Sequence, residues 1–240
     1  SERNLSSSLI RGIAAKFVKE KYKIGGFCAY TTSNVLKGSG LSSSAAFEVL
    51  VGTILNHLYN KGTVPAIAIA QYAQFAENVY FGKPSGLMDQ MASSVGGMIS
   101  IDFANVKKPL IKQVKFDFNA LNCALCIVDT GGSHADLTDE YASIPDEMKS
   151  IAAMFTKPTL QGLTMDDLLQ NIQPIRRKLG DRALLRAFHF LKENDRVDAI
   201  IAALGRSDYA AFKKIVIESG NSSFRFLQNV YANAVPREQG

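Results

Sequence analysis

The order of hydrophobic periodicities along this chain constrains its fold more than any single residue does. Residues 5–22 read as an amphipathic helix, 26–33 as a strand, 43–59 and 64–80 as consecutive helices, and 88–94 as a short helix. Three short apolar or alternating segments follow at 97–103, 110–116 and 124–129, bounded by turn residues, and they read as strands. After Ser133 the spacing is helical almost to the end, over 136–156, 164–170, 182–204, 207–219 and 224–234, with Gly205 and Gly220 as stops. Strands and helices first, then helices, predicts an α+β chain. Its 240 residues, 47% hydrophobic, suffice for one large or two small domains.

Between the first strand signal and the second helix lies Lys37-Gly-Ser-Gly-Leu-Ser-Ser-Ser-Ala-Ala46, which has the composition of an anion cradle. Gly38 and Gly40 allow a tight turn and close approach of backbone to a ligand, and the serines predict a capped helix start whose first N–H groups lack internal partners. Such a start attracts anions. A turn plus cap also needs no ligand, so the pattern alone leaves both readings open. It is not a Walker loop, because Lys37 precedes the glycines, and it lacks the third glycine of a dinucleotide fingerprint.

A second cluster, Ala76-Glu-Asn-Val-Tyr-Phe-Gly-Lys-Pro-Ser-Gly-Leu-Met-Asp-Gln90, begins where a helix ends, since Gly82 breaks the pattern and Pro84 prevents its continuation. Glu77 then sits in a last helical turn, where a carboxylate opposes the macrodipole. A bound cation would explain that placement, and a solvent-exposed glutamate is the simpler alternative. Asp89 follows a Pro-Ser-Gly turn, where a cap or turn role would suffice.

Taken together, the segments 38–46 and 82–90 resemble the phosphate motif and the catalytic segment of the GHMP small-molecule kinases, and within them the galactokinases. Val128-Asp-Thr130, His134 and Asp139-Glu-Tyr141 resemble the galactokinase strand and helix that carry a sugar-contacting tyrosine. The resemblance implies a two-domain fold, with an N-terminal mixed sheet plus helices and a helix-rich C-terminal α+β domain. Residues 1–121 would form the ATP-binding domain and 122–240 the second, crossing near 119–121. It also implies transfer of the ATP γ-phosphate to the anomeric hydroxyl of galactose or a close relative. In that reading Gly38, Ser39, Gly40, Leu41, Ser42, Ser43, Ser44 and Ala45 bind ATP, Ser44 and Glu77 hold Mg2+, and Asp89 accepts the hydroxyl proton. Gly86, Asp89 and Tyr141 bind the sugar. A kinase for an amino sugar or other sugar, and a non-catalytic sugar and ATP sensor, are the alternatives.

The departures from the family pattern are equally specific. Leu36 replaces a proline before the turn, Ser85 replaces a cysteine, and Ser143-Ile-Pro-Asp146 replaces an arginine pair. No Gly-Arg or Gly-Glu-His segment occurs before Ser33, and no late glycine-rich motif occurs before Gly240, so a chain missing both ends is expected.

Composition narrows the partners. A net charge of +5 suits an anionic ligand, while scattered Lys and Arg without interleaved aromatics argue against nucleic acid. There is no signal peptide or long apolar span, and three cysteines offer no disulfide framework, which favours a cytoplasmic protein without a membrane partner; a monomer or weak dimer is the accompanying expectation. Cys123 and Cys126 read as core packing on a strand. Arg186, His189, Glu193 and Arg196 share one helix face, which reads as solvated and carries no catalytic role.

Overall fold

The computed structural model describes residues 3–35, 40–83, 85–105, 107–117, 124–128 and 138–230. The chain forms two compact units, residues 1–103 with 107–113, and 104–106 with 114–240. The expected domain crossing near 119–121 lies outside the described residues.

The first unit is a layer of helices with a small sheet. Helix α1 (Ser6–Lys19) is laid down by Leu9, Ile13 and Phe17, four residues apart and all buried. Ile13 and Phe17 pack with Val49, Val51 and Leu55 of α2 (Ser43–Asn60) and Ile69, Tyr72 and Ala73 of α3 (Ala66–Phe75). Burying Ile13 and Phe17 contributes about 2 kcal/mol each. Gly12 lets α1 approach closely, since a Cβ there would stand 2.7 Å from that of Ala76. Asn56 joins α2 to the start of α3 by accepting from the Val64 N–H at 3.0 Å and donating to its carbonyl at 3.1 Å.

Helix α3 does not stop where its periodicity fades. It widens into a π turn over Ala76–Phe81, which Gly82 ends with φ 95° and an N–H bonded to the Glu77 carbonyl. Helix α4 (Met88–Val95) buries Met91 beside Ala70 and Leu87. Strands β1 (Ile99–Asp102) and β2 (Leu110–Gln113) pair antiparallel, Ile99 opposite Gln113 and Asp102 opposite Leu110.

The strand expected at 26–33 joins no ladder among the described residues. Side chains hold the approach to it instead: Asn60 bonds the Lys23 N–H and carbonyl, and the Tyr59 hydroxyl donates to the Gly26 carbonyl. Residues 124–128 are likewise not a strand, with Leu125, Cys126, Ile127 and Val128 exposed, so core packing is corrected for Cys126. Cys123 lies outside the described residues. Alternation marks a segment fit for a sheet, but a strand also needs a neighbour to accept its N–H groups.

The second unit is helical. Helices α5 (Thr138–Met154), α6 (Met165–Gln170) and α7 (Ile172–Gly205) surround Ile151, Leu163, Leu168, Ile175 and Leu184, and α8 (Tyr209–Ser222) packs against α7. Thr164 and Asp167 cap α6 reciprocally. Gly180, at φ 85°, interrupts α7 just before the expected start at Arg182. In α5, Pro145 has no N–H to offer the Tyr141 carbonyl one turn back. The helix expected at 224–234 is a π turn over Ser223–Leu227, ended by Gln228 at φ 55°, and 231–240 lie outside the described residues.

The α7 face of Arg186, His189, Glu193 and Arg196 is largely covered rather than solvated, with Arg186 and His189 buried and Glu193 and Arg196 half-buried. Arg186 is 1% exposed and donates to the Leu227 carbonyl (3.0 Å), the Ser143 hydroxyl (3.0 Å) and Glu147 Oε2 (2.9 Å). His189 Nδ1 lies 3.0 Å from the Ser222 hydroxyl, and burial lowers its pKa. Three-and-four spacing defines a shared face but does not say what lies against it, and here α5, α8 and the π turn do.

Candidate functional site

In the first unit, the start of α2 meets the loop and helix that follow the π turn at the Glu77 carboxylate. Ser44, in the first turn of α2, donates its hydroxyl to Glu77 Oε1 at 3.4 Å. Ser85, in the loop after the π turn, donates to Oε2 at 2.5 Å, and Gln90 of α4 donates its amide to the same oxygen at 2.8 Å. Lys83 reaches Oε1 at 3.2 Å from an exposed position. Glu77 is 3% exposed, which overturns the solvent-exposed alternative.

The local sequence explains this convergence. Glu77 lies in the π turn, and its carbonyl takes the N–H groups of both Gly82 and Lys83. The returning loop is fastened by Asn78, which accepts the Ser85 N–H at 2.8 Å, and by Gln74, which donates to the Ser85 carbonyl at 3.0 Å. Ser85, where the family pattern has cysteine, therefore supplies a hydroxyl donor to the buried carboxylate.

A second acid lies behind the first. Glu48, one turn after Ser44 on α2, is 0% exposed and accepts from the Gln90 amide at 3.2 Å. Burial, and next the charge of Glu77, push its pKa up to about 8, so it is protonated at neutral pH. Glu48 Oε1 and Gln90 Oε1 are buried without a hydrogen-bond partner. The sequence reading passed over Glu48, Gln90 and Lys83. The available signal was a lone acid inside the apolar run Ala45-Ala-Phe-Glu-Val-Leu50, four residues from Ser44 and so on its face.

The other expected residues are distributed as follows. Asp89 is exposed in the first turn of α4, where the helix dipole complements a carboxylate. Gly86 is exposed, with open space where a Cβ would stand. Of the phosphate motif, Gly38 and Ser39 lie outside the described residues, Gly40 has φ 74°, Leu41 is exposed, and Ala45 is buried. The expected serine cap is not made. Ser42 occupies the N-cap in the left-handed region (φ 56°, ψ 44°) and forms no side-chain capping bond, so the α2 N–H groups at Ser43, Ser44 and Ala45 receive no cap from it. Tyr141 belongs to the second unit, half exposed on α5.

The oxygen pair fits a hard divalent cation. Ser44 and Glu77 face each other from separate elements, and the buried cluster has a carboxyl oxygen with no partner. Among the described residues no group of three or more His, Cys, Asp or Glu could hold a metal, so two protein oxygens would have to be completed by water and phosphate, as Mg2+ prefers. Lys83 competes for Glu77 Oε1 and, being exposed, can swing away.

Residues 8–97 match the family described as the GHMP kinases N terminal domain. The chain is similar to a galactokinase of Streptomyces coelicolor, 32% identical over 209 residues, covering 85% of this chain and 52% of that protein. It is similar also to a galactokinase of Clostridium tetani, 26% identical over 221 residues, covering 92% and 56%. The crystal structure of Lactococcus lactis galactokinase complexed with galactose superposes with a TM-score of 0.69 at 22% identity, over 97% of this chain and 60% of that one. That likeness establishes the fold as the α+β fold of these kinases. The chain spans about half the length of the curated relatives it matches.

Proposed function

The chain belongs to the GHMP kinase family, and on that premise we propose that it carries the phosphate-binding and catalytic segments of a galactokinase-type sugar kinase. The observation that carries this reading is the convergence of Ser44, Ser85 and Gln90 on the buried Glu77 carboxylate, with Asp89 next to Gln90 in the first turn of α4. Phosphoryl transfer asks the protein mainly for positioning and charge neutralisation, and these elements supply both.

In this reading the N–H groups of 42–45, with Gly38, Ser39, Gly40 and Leu41 ahead of them, cradle the ATP phosphates at the start of α2. Ser44 and Glu77 hold Mg2+, which when bound neutralises charge on the phosphates. Asp89, reachable from solvent, takes the proton of the anomeric hydroxyl as that oxygen bonds to the γ-phosphorus, leaving ADP and a sugar 1-phosphate. Gly86 and Tyr141 help fix the sugar, and galactose is the first acceptor to try. Residues 1–121 and 122–240 are assigned to the two domains. No described helix is long and apolar enough to cross a membrane. A cytoplasmic setting, ATP and a small sugar as ligands with neither nucleic acid nor membrane as partner, and a monomer or weak dimer belong to the same reading.

The test is an ADP-release assay of the full-length gene product against a panel of sugars. Turnover with galactose supports the proposal; ATP binding without turnover on any sugar overturns it in favour of a sensor. Asp89→Asn should lower kcat by about 10²- to 10⁴-fold while leaving nucleotide affinity unchanged, and undiminished turnover would remove Asp89 as the base.

A further inference from the structure

The two oxygens of Glu77 have different occupations. Oε1 faces Ser44 and Lys83, whereas Oε2 takes the Ser85 hydroxyl and the Gln90 amide. A carboxylate gripped on one oxygen presents the other in a fixed direction.

We propose that Gln90 is a positioning residue: its buried amide, anchored on Glu48, fixes the Glu77 carboxylate so that Oε1 is presented beside Ser44 for a divalent cation. This rests on the reading of Ser44 and Glu77 as the cation's ligands. Gln90 is 1% exposed and spends its amide nitrogen on two acids at once, Glu77 at 2.8 Å and Glu48 at 3.2 Å. The amide thereby connects α2, the π turn and α4, the three elements that carry the phosphate cradle, the metal oxygen and Asp89. Because Gln90 follows Asp89 directly, the grip on its side chain also holds the α4 first turn in register with Glu77.

Packing alone does not account for this cluster. Two buried acids on one amide, with Glu48 Oε1 and Gln90 Oε1 unpartnered, are less favourable than an apolar filling of the same volume. Glu48, on the far side of the amide, gives Gln90 its second acceptor. Outer partners that orient a metal-binding carboxylate commonly influence metal affinity by ten- to a hundredfold.

The experiment uses the full-length protein and Mn2+ as probe, titrated by electron paramagnetic resonance in the presence of a non-hydrolysable ATP analogue, so that turnover is not the readout. Gln90→Met keeps the volume and removes the donors; it should weaken Mn2+ binding about tenfold and raise the Mg2+ needed for half-maximal rate, with the sugar KM unchanged. Glu48→Leu removes the anchor from the far side and should weaken Mn2+ binding in the same direction by less, which decides the matter if Gln90→Met does not fold. Melting curves identify the folded variants. Folded variants that bind Mn2+ as the parent does, while Glu77→Gln loses it, overturn the positioning role and leave the metal site standing. Unchanged Mn2+ binding in Glu77→Gln overturns the metal site, and this proposal with it.

Discussion

Each unit buries a charged cluster, and the two are built on opposite principles. In the second, Arg186 meets Glu147, the Ser143 hydroxyl and the Leu227 carbonyl, and Glu147 is shared with Arg182 at 3.0 Å, so donors and acceptors are matched. In the first, Glu48 and Glu77 share one amide, an exposed lysine reaches Glu77 alone, and two buried oxygens have no partner. A matched cluster is complete as folded and holds helices together. An excess of buried carboxyl awaits a counter-charge and is where a ligand belongs.

The sharpest way to break the comparison is to remove the central cation of the matched cluster. Arg186→Leu should cost about 3 kcal/mol, because Glu147 loses a buried partner and two oxygen acceptors are left open. Chemical denaturation reads that loss, and Mn2+ affinity should stay unchanged. A stability loss below 1 kcal/mol would mean that the cluster is no more structural than its counterpart.

Next comes the response to pH. A Glu48 pKa raised from the ordinary 4.5 to about 8 means that the folded chain keeps a proton the unfolded chain has released. Its contribution to stability is present below 4.5, declines as pH rises through the window to about 8, and is flat above it. The groups acting on it are Glu77 and Asp89, which raise the pKa, and Gln90 and Lys83, which lower it. Glu48→Gln cannot ionise, so melting temperatures measured from pH 5 to pH 8 should fall less steeply than in the parent. Parallel curves would show that Glu48 ionises as easily folded as unfolded.

The smallest effect belongs to neither cluster and sets the baseline. Thr164→Ala removes one arm of the α6 capping box and should cost about 1 kcal/mol by denaturant unfolding, with no influence on metal or nucleotide. A larger loss would mean that Thr164 does more than cap.

Legibility in the sequence followed the range of the forces involved. Helices α1, α2, α4, α6 and α8 were readable because their apolar spacing and breakers act within a few residues, and Gly82 was readable as a stop. The strands expected at 26–33 and 124–129 were not realised among the described residues, since pairing depends on neighbours that periodicity cannot name. The serine cap failed for a related reason: Ser42 has the right chemistry, but its left-handed backbone leaves its hydroxyl out of the cap.

The sequence by itself determined the order of the elements and the identity of the motifs. A Gly-Ser turn entering a helix, an acid near a helix end and an aspartate after a turn are local arrangements, and their spacing resembles one family. Only the tertiary structure decided that Glu77 is buried rather than solvated, that Glu48 and Gln90 stand behind it, and that the Arg186 face is covered rather than wet. Burial belongs to whatever distant segment packs against a residue, and a charge changes its chemistry when that segment excludes water.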